Sequence, residues 1–134
     1  MKYLLDTHII LWAAVDVKKL SRKAKSLLEN PDNILYFSPV SLWEVSIKHA
    51  IHPDNVVFTG EELSAYCREA GYLPVEIKDK HVAALETLKR AKGAPAHQDP
   101  FDRMLISQAK AENMVLLTHD SKLKHYKEKC IWTV

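Results

Sequence analysis

The sequence predicts an α/β domain in which a short parallel sheet is covered by helices on both faces. Three observations carry this expectation. The chain has 134 residues, the size of one domain, since domains cluster near about 100–150 residues. Its composition, 47% hydrophobic against 27% charged, belongs to a globular chain and not to a disordered one. Short apolar runs without polar alternation (Lys2–Leu5, Ile34–Phe37, Val115–Thr118) recur between segments of helical spacing. Strands separated by helices pair in parallel and are buried on both faces.

The elements follow in order. Lys2–Leu5 is a strand ended by Asp6, and Thr7–Val15 is an apolar helix. Leu20–Asn30 places Leu20, Ala24, Leu27 and Leu28 at helical spacing and stops before Pro31. Ile34–Phe37, branched and aromatic, is the second strand. Ser41–His49 is a helix with Leu42, Val45 and Ile47 apolar, and His52–Phe58 has no regular pattern. Thr59 and Glu62 have the spacing of a capping box, which opens a helix running to Gly71. Tyr72–Ile77 is a strand that Pro74 confines to an edge or bulge. Asp79 caps a helix to about Ala91, and Lys92–Gln98 is a loop. Asp99–Asn113 is a helix with Asp99 at the N-cap, Pro100 at N1 and Asp102 at N3 in a capping-box-like position. Val115–Thr118 and a short Cys130–Val134 strand complete the sheet.

Several chemistries are excluded. Gly60, Gly71 and Gly93 lie far apart, so neither a Walker A loop nor a GxGxxG turn exists to bring backbone N–H groups against phosphates. A phosphotransfer receiver needs paired acids at the first strand, where Asp6 stands alone, and a haloacid-dehalogenase-type phosphatase needs Asp-x-Asp, where His8 fills the third place. Cys67 and Cys130 form no CxxC pair, and His49 and His52 lack further ligands at zinc spacing. Asp6 and His8 interrupt the apolar opening run, no run reaches the roughly 18–20 apolar residues of a membrane span, and no small-residue cleavage site follows. The expectation is a soluble cytoplasmic protein with no membrane partner. With Lys plus Arg 19 and Asp plus Glu 17, the net charge of +2 permits a nucleic-acid partner without demanding one. Trp12 and Trp43, on apolar helices, are expected in the core or in a dimer interface.

What remains is a set of acids. Asp6 and Asp120 each follow a strand, Glu44 lies one turn into the helix after the second strand, and Asp99 and Asp102 open the helix that feeds the strand ending at Thr118. In a parallel sheet, ligands sit beyond the carboxyl ends of the strands, and these acids all fall there. Each has a plain structural role: a strand end at Asp6, an i,i+4 pair of Glu44 with Lys48, a helix cap at Asp99, an Asx-turn at Asp120. Together they repel unless a counter-charge joins them, and all-oxygen donors select a hard cation, Mg²⁺ or Mn²⁺. Mg²⁺ keeps several waters and polarises phosphoryl oxygens, which suits hydrolysis of a phosphodiester. Lys48, Arg103, His119 and Lys122 are candidates for the basic rim such a substrate requires. Arg103 is notable because a cation at a helix start opposes the dipole; pairing with Asp99 or binding phosphate would explain it.

Leu4-Leu5-Asp6-Thr7-His8, Ser38–Lys48, His97–Ala109 with its Asp-Pro-Phe-Asp-Arg core, and Leu117-Thr118-His119-Asp120 resemble, in that order and spacing, the PIN-domain family, and within it the VapC-type toxins of bacterial type II toxin–antitoxin pairs. The likeness spans essentially the whole chain. It implies a PIN-like three-layer α/β/α fold and a Mg²⁺- or Mn²⁺-dependent endoribonuclease. Asp6, Glu44, Asp102 and Asp120 fall on the family's catalytic and metal-holding acids, with Asp99 as an additional ligand or a neighbour of the ligands. Thr118 matches the family's hydroxyl residue near the metal water, and Thr7, Arg103 and Lys48 flank the ligands or the substrate. The resemblance also implies an RNA substrate, with transfer RNA the target by analogy, a homodimer, and a small antitoxin that blocks the cleft. The chain departs from the family in reading His49-Ala50-Ile51-His52-Pro53 where relatives carry a Gly-Lys-Leu-like turn. The alternative is a catalytically silent PIN-fold module that binds protein or RNA; such a chain would have lost one or more acids.

Overall fold

A computed structural model describes residues 1–134. Five parallel strands, β1 (Lys2–Leu5), β2 (Ile34–Phe37), β3 (Leu73–Pro74), β4 (Val115–Thr118) and β5 (Ile131–Thr133), form one sheet in the order β3-β2-β1-β4-β5. Six α-helices surround it: α1 (Thr7–Val15), α2 (Arg22–Glu29), α3 (Pro39–Ile51), α4 (Gly60–Glu69), α5 (Asp79–Leu85) and α6 (Pro100–Glu112). Short 3₁₀ turns follow α1 and β4. The expected three-layer α/β/α arrangement is present.

The strands have no polar alternation because both faces are covered. Tyr3 and Leu5 of β1 and Leu117 of β4 pack with Ile9 and Ile10 of α1, Ala24 of α2 and Leu63 and Cys67 of α4. Leu4 and Leu116, one residue out of phase, pack on the other face with Leu105, Ile106 and Ala109 of α6. Successive side chains on a strand point to opposite faces, so β1 and β4 each feed two cores. Helix α3 crosses between layers, giving Val45 to the first core and Val40 to the second.

Local signals set most boundaries. Thr59 and Glu62 make the reciprocal capping box at the start of α4, and Asn113, at φ 54°, ends α6 in the left-handed region that Asn tolerates. Three expectations need correction. Helix α3 starts at Pro39, two residues before the predicted Ser41, because the Ser38 hydroxyl accepts from the Val40 N–H and Pro39 suits N1. Only Leu73–Pro74 of the Tyr72–Ile77 run pairs as a strand, at the sheet edge. Helix α5 runs from Asp79 to Leu85, with Lys78 and not Asp79 at the cap, and ends six residues before Ala91. Beyond it, the Ala91 N–H donates to His125 O (2.7 Å) and the Lys127 N–H to Lys89 O (2.7 Å).

Candidate active site

The chain leaves β1 towards β2 and β3 on one side, then returns to place β4 on the other side of β1. The carboxyl ends of β1 and β4 thus flank a topological switch point, where an open α/β sheet forms a crevice. Leu5 lies opposite Leu117, and the Asp6 N–H donates to Leu117 O (3.0 Å). Asp6 is therefore locked to the end of β4 before its side chain is considered.

The side chains extend that lock. Asp6 is buried and caps α1, accepting from the Thr7 N–H at Oδ1 (2.8 Å). Its Oδ2 accepts from the Thr118 hydroxyl (2.7 Å), which itself accepts from the Asp120 N–H (3.0 Å). Thr118 therefore couples Asp6 to Asp120 through one buried oxygen. Thr7, also buried, donates to the Ser41 hydroxyl (2.8 Å) and ties α1 to α3. The Ser38 hydroxyl donates to Gln108 Oε1 (2.5 Å), and Gln108 Nε2 donates to Val75 O (3.1 Å), so the start of α3 is fastened to α6. These bonds fix the helices that carry Glu44 and Asp102.

The structural roles foreseen for Asp6, Glu44, Asp99 and Asp120 are filled, generally by one oxygen. Asp99 Oδ1 accepts from the Phe101 and Asp102 N–H groups (2.9 and 3.1 Å) as the cap of α6. Asp120 Oδ1 accepts from the Lys122 N–H (2.9 Å) in its Asx-turn. Glu44, buried on α3, receives Lys48 Nζ at Oε2 (2.6 Å), while its Oε1 is buried with no hydrogen-bond partner. A lone buried carboxylate oxygen is costly unless something else satisfies it. Asp102 does not complete a capping box; its Oδ2 faces His97 Nε2 at 3.3 Å.

The electrostatics follow the geometry. Burial, and then the charges of Asp6, Asp99, Glu44 and Asp120, push the Asp102 carboxyl up to about 8. Burial also raises Asp6, against the Thr118 bond. Burial disfavours the Lys48 ammonium, but its bond to Glu44 and the charges of Glu44, Asp99 and Asp102 outweigh this and lift its pKa. His97 is lowered by burial and by Arg90. The other four acids thus act on one carboxyl. No three His, Cys, Asp or Glu side chains are grouped tightly enough to hold a metal ion as they stand; the acids lie near enough for their charges to act on Asp102 but do not form a closed cage.

Arg103 pairs with neither Asp99 nor a second acid; its Nη1 donates to the Tyr126 hydroxyl (3.3 Å). Tyr126 and its partner His97 lie outside the acid set read from sequence. His97 stands two residues before Asp99, but Tyr126 sits in a lysine-rich stretch with no local mark of its role. Trp43 is not in the core: it is 57% exposed and meets Phe101 edge to face at 5.0 Å. Trp12 stacks on His8 (5.8 Å) and meets His119 edge to face (5.0 Å).

The family model described as PIN domain matches residues 3–129. The chain belongs to the PIN domain family. Among solved structures, this PIN domain is similar to the Rickettsia felis VapBC2 complex bound to a promoter DNA fragment, with a TM-score of 0.68 at 18% identity over 99% of this chain and 98% of that one. It is also similar to a toxin–antitoxin complex from Klebsiella pneumoniae (TM-score 0.59, 17% identity, 98% and 96% covered). VapBC-1 from nontypeable Haemophilus influenzae gives a TM-score of 0.59 at 18% identity, with 93% and 92% covered. At these identities the likeness is one of fold. No curated protein matches the chain. No helix of the PIN domain is long and apolar enough to cross a membrane.

Proposed function

We propose that this PIN domain is a Mg²⁺- or Mn²⁺-dependent endoribonuclease, the toxin of a type II toxin–antitoxin pair acting in the cytoplasm. The observation that carries the reading is the nearness of Asp6, Glu44, Asp99 and Asp120 to Asp102, whose carboxyl is lifted to about 8 first by burial and then by their charges. Negative charge gathered without a matching cation is costly. Glu44, Asp102, Asp120 and Asp6, with Asp99 beside them, would hold the divalent ion, and the donor set fits one: it is all oxygen, and Glu44 Oε1 is buried without a partner. When bound, such an ion lowers the pKa of water and polarises a phosphoryl oxygen. The chain's own part is to hold the carboxylates in place through Thr118, Thr7 and the helix caps. Arg103 and Lys48 supply positive charge at the rim for the RNA backbone.

The partner reading rests on the fold likeness to toxin–antitoxin complexes. A small antitoxin would cover the acidic cleft. A homodimer is supported by Trp43, Ile47, Ile51 and Val57, which are exposed along α3 and the segment after it. Transfer RNA is the first substrate to test.

The test is cleavage of transfer RNA and mixed cellular RNA by the purified chain with Mn²⁺, beside Asp6→Asn melting at a comparable temperature. Cleavage that falls at least about a hundredfold in the variant is the expected result. A variant that cuts at the parental rate would remove the assignment.

A further inference from the structure

The Tyr126 hydroxyl sits between two groups. Arg103 Nη1 donates to it (3.3 Å), and His97 Nδ1 lies 2.7 Å away. A guanidinium can only donate, so the tyrosine oxygen is the acceptor in the first bond and its single proton is free for the second. Given to His97 Nδ1, that proton makes Nδ1 the bare nitrogen of a neutral ring. The ring's own proton is left on Nε2, the nitrogen 3.3 Å from Asp102 Oδ2. With that tautomer the donors run one way along the row, from Arg103 through Tyr126 and His97 to Asp102.

The row is anchored at its far end. Tyr126 is buried, the Arg90 guanidinium lies 4.5 Å above its ring, and residues 90 and 126 form an antiparallel bridge. Arg90 also donates to Pro95 O, holding the loop that leads to His97. The imidazole meets the Tyr126 ring edge-on at 5.4 Å. A histidine needed only for loop structure has no cause to aim its second nitrogen at Asp102.

We propose that His97, with its tautomer set by Tyr126, is a positioning residue that donates from Nε2 to Asp102 Oδ2 and so turns Oδ1 towards a divalent cation. The inference rests on the metal-binding reading of the cleft. It also gives Arg103 a task that explains a cation at a helix start: it orders the tyrosine hydroxyl. Groups that orient a ligating carboxylate typically change metal affinity by about 10–100-fold when removed.

The test has two arms. In the first, Mn²⁺ affinity is measured by calorimetry at fixed pH, without RNA, for the unsubstituted chain, His97→Ala, His97→Gln and Tyr126→Phe, each checked for an intact melting transition. Glutamine can carry an N–H donor to the place of Nε2. The expected result is a dissociation constant raised about tenfold or more in His97→Ala, largely restored in His97→Gln, and raised to a lesser degree in Tyr126→Phe. Equal affinity in His97→Ala, or no recovery in His97→Gln, overturns the proposal. In the second arm, nitrogen-15 spectra of the metal-free protein are expected to show His97 protonated on Nε2, with that preference weakened in Tyr126→Phe. A proton on Nδ1 overturns the row whatever the calorimetry gives. If the unsubstituted chain binds no Mn²⁺ while the spectra show the expected tautomer, the metal reading of the cleft fails, and the positioning role falls with it.

Discussion

Asp102 feels the charge of all four other acids. Its carboxyl goes from about 3.8 in an open chain to about 8 in the fold, first through burial and then through the acids around it. A folded-state pKa above the unfolded one means that the native state binds the extra proton between those values. The stabilising contribution is complete below about pH 4 and is lost as pH rises towards 8. Asp102→Asn has no charge to lose. In chelator, the variant's melting temperature is expected to exceed the parent's by a margin that widens from pH 4 to 8 and then levels off. At pH 9 the margin should reach at least about 1 kcal/mol, since each unit of pKa difference corresponds to about 1.4 kcal/mol. A margin flat in pH would show that Asp102 is not under this pressure. The acids themselves were legible because each ends a strand or opens a helix, and chain punctuation is visible in sequence. Their partner His97 was legible only as a loop residue, because what defines it is Tyr126, 29 residues away.

At the scale of elements, α3 and α4 meet at Gly60. A Cβ there would lie 2.7 Å from Leu42 O and would collide with the Ser46 hydroxyl, both on α3. The capping box opens α4 at this point, so neither helix can yield without disturbing its end. Gly60→Ala is expected to cost about 1–3 kcal/mol, the usual penalty for overpacking, read as a lower denaturation midpoint with an unchanged slope. An unchanged midpoint would mean the helices part easily. Glu44 lies between Leu42 and Ser46 on α3, so metal affinity should fall with stability. The capping box was visible from Thr59 and Glu62 alone because it is a local device. The end of α5 was not. Residues 86–91 keep a helix-compatible composition, but the chain from Lys89 to Ala91 pairs instead with residues 125–127. That choice is made by a segment far along the chain, and local propensity yields to it. The same pairing brings Tyr126 under Arg90, so the feature the sequence concealed in α5 also supports the cleft.

For the whole molecule, the order β3-β2-β1-β4-β5 is what turns scattered acids into one cleft. The sequence announced the α/β class through its uninterrupted apolar strands, whereas the strand order is a property of non-local pairing that periodicity does not encode. The cleft gathers charge from β1, α3, α6 and the turn after β4, so every acid is misplaced once the sheet opens. A divalent cation held there binds the folded state and has no equivalent site in the unfolded chain. Folding and binding are then linked: at a free Mn²⁺ concentration a hundred times the dissociation constant, the fold gains about 2.7 kcal/mol. For a domain of this size, about 3–5 °C per kcal/mol is expected, so the melting temperature should rise by roughly 10 °C and return on adding chelator. Asp102→Asn, which removes the repulsion and a ligand together, should start higher in chelator and respond little to Mn²⁺. That opposite pair of shifts separates a cation held by these acids from one bound at the surface, which would raise parent and variant alike.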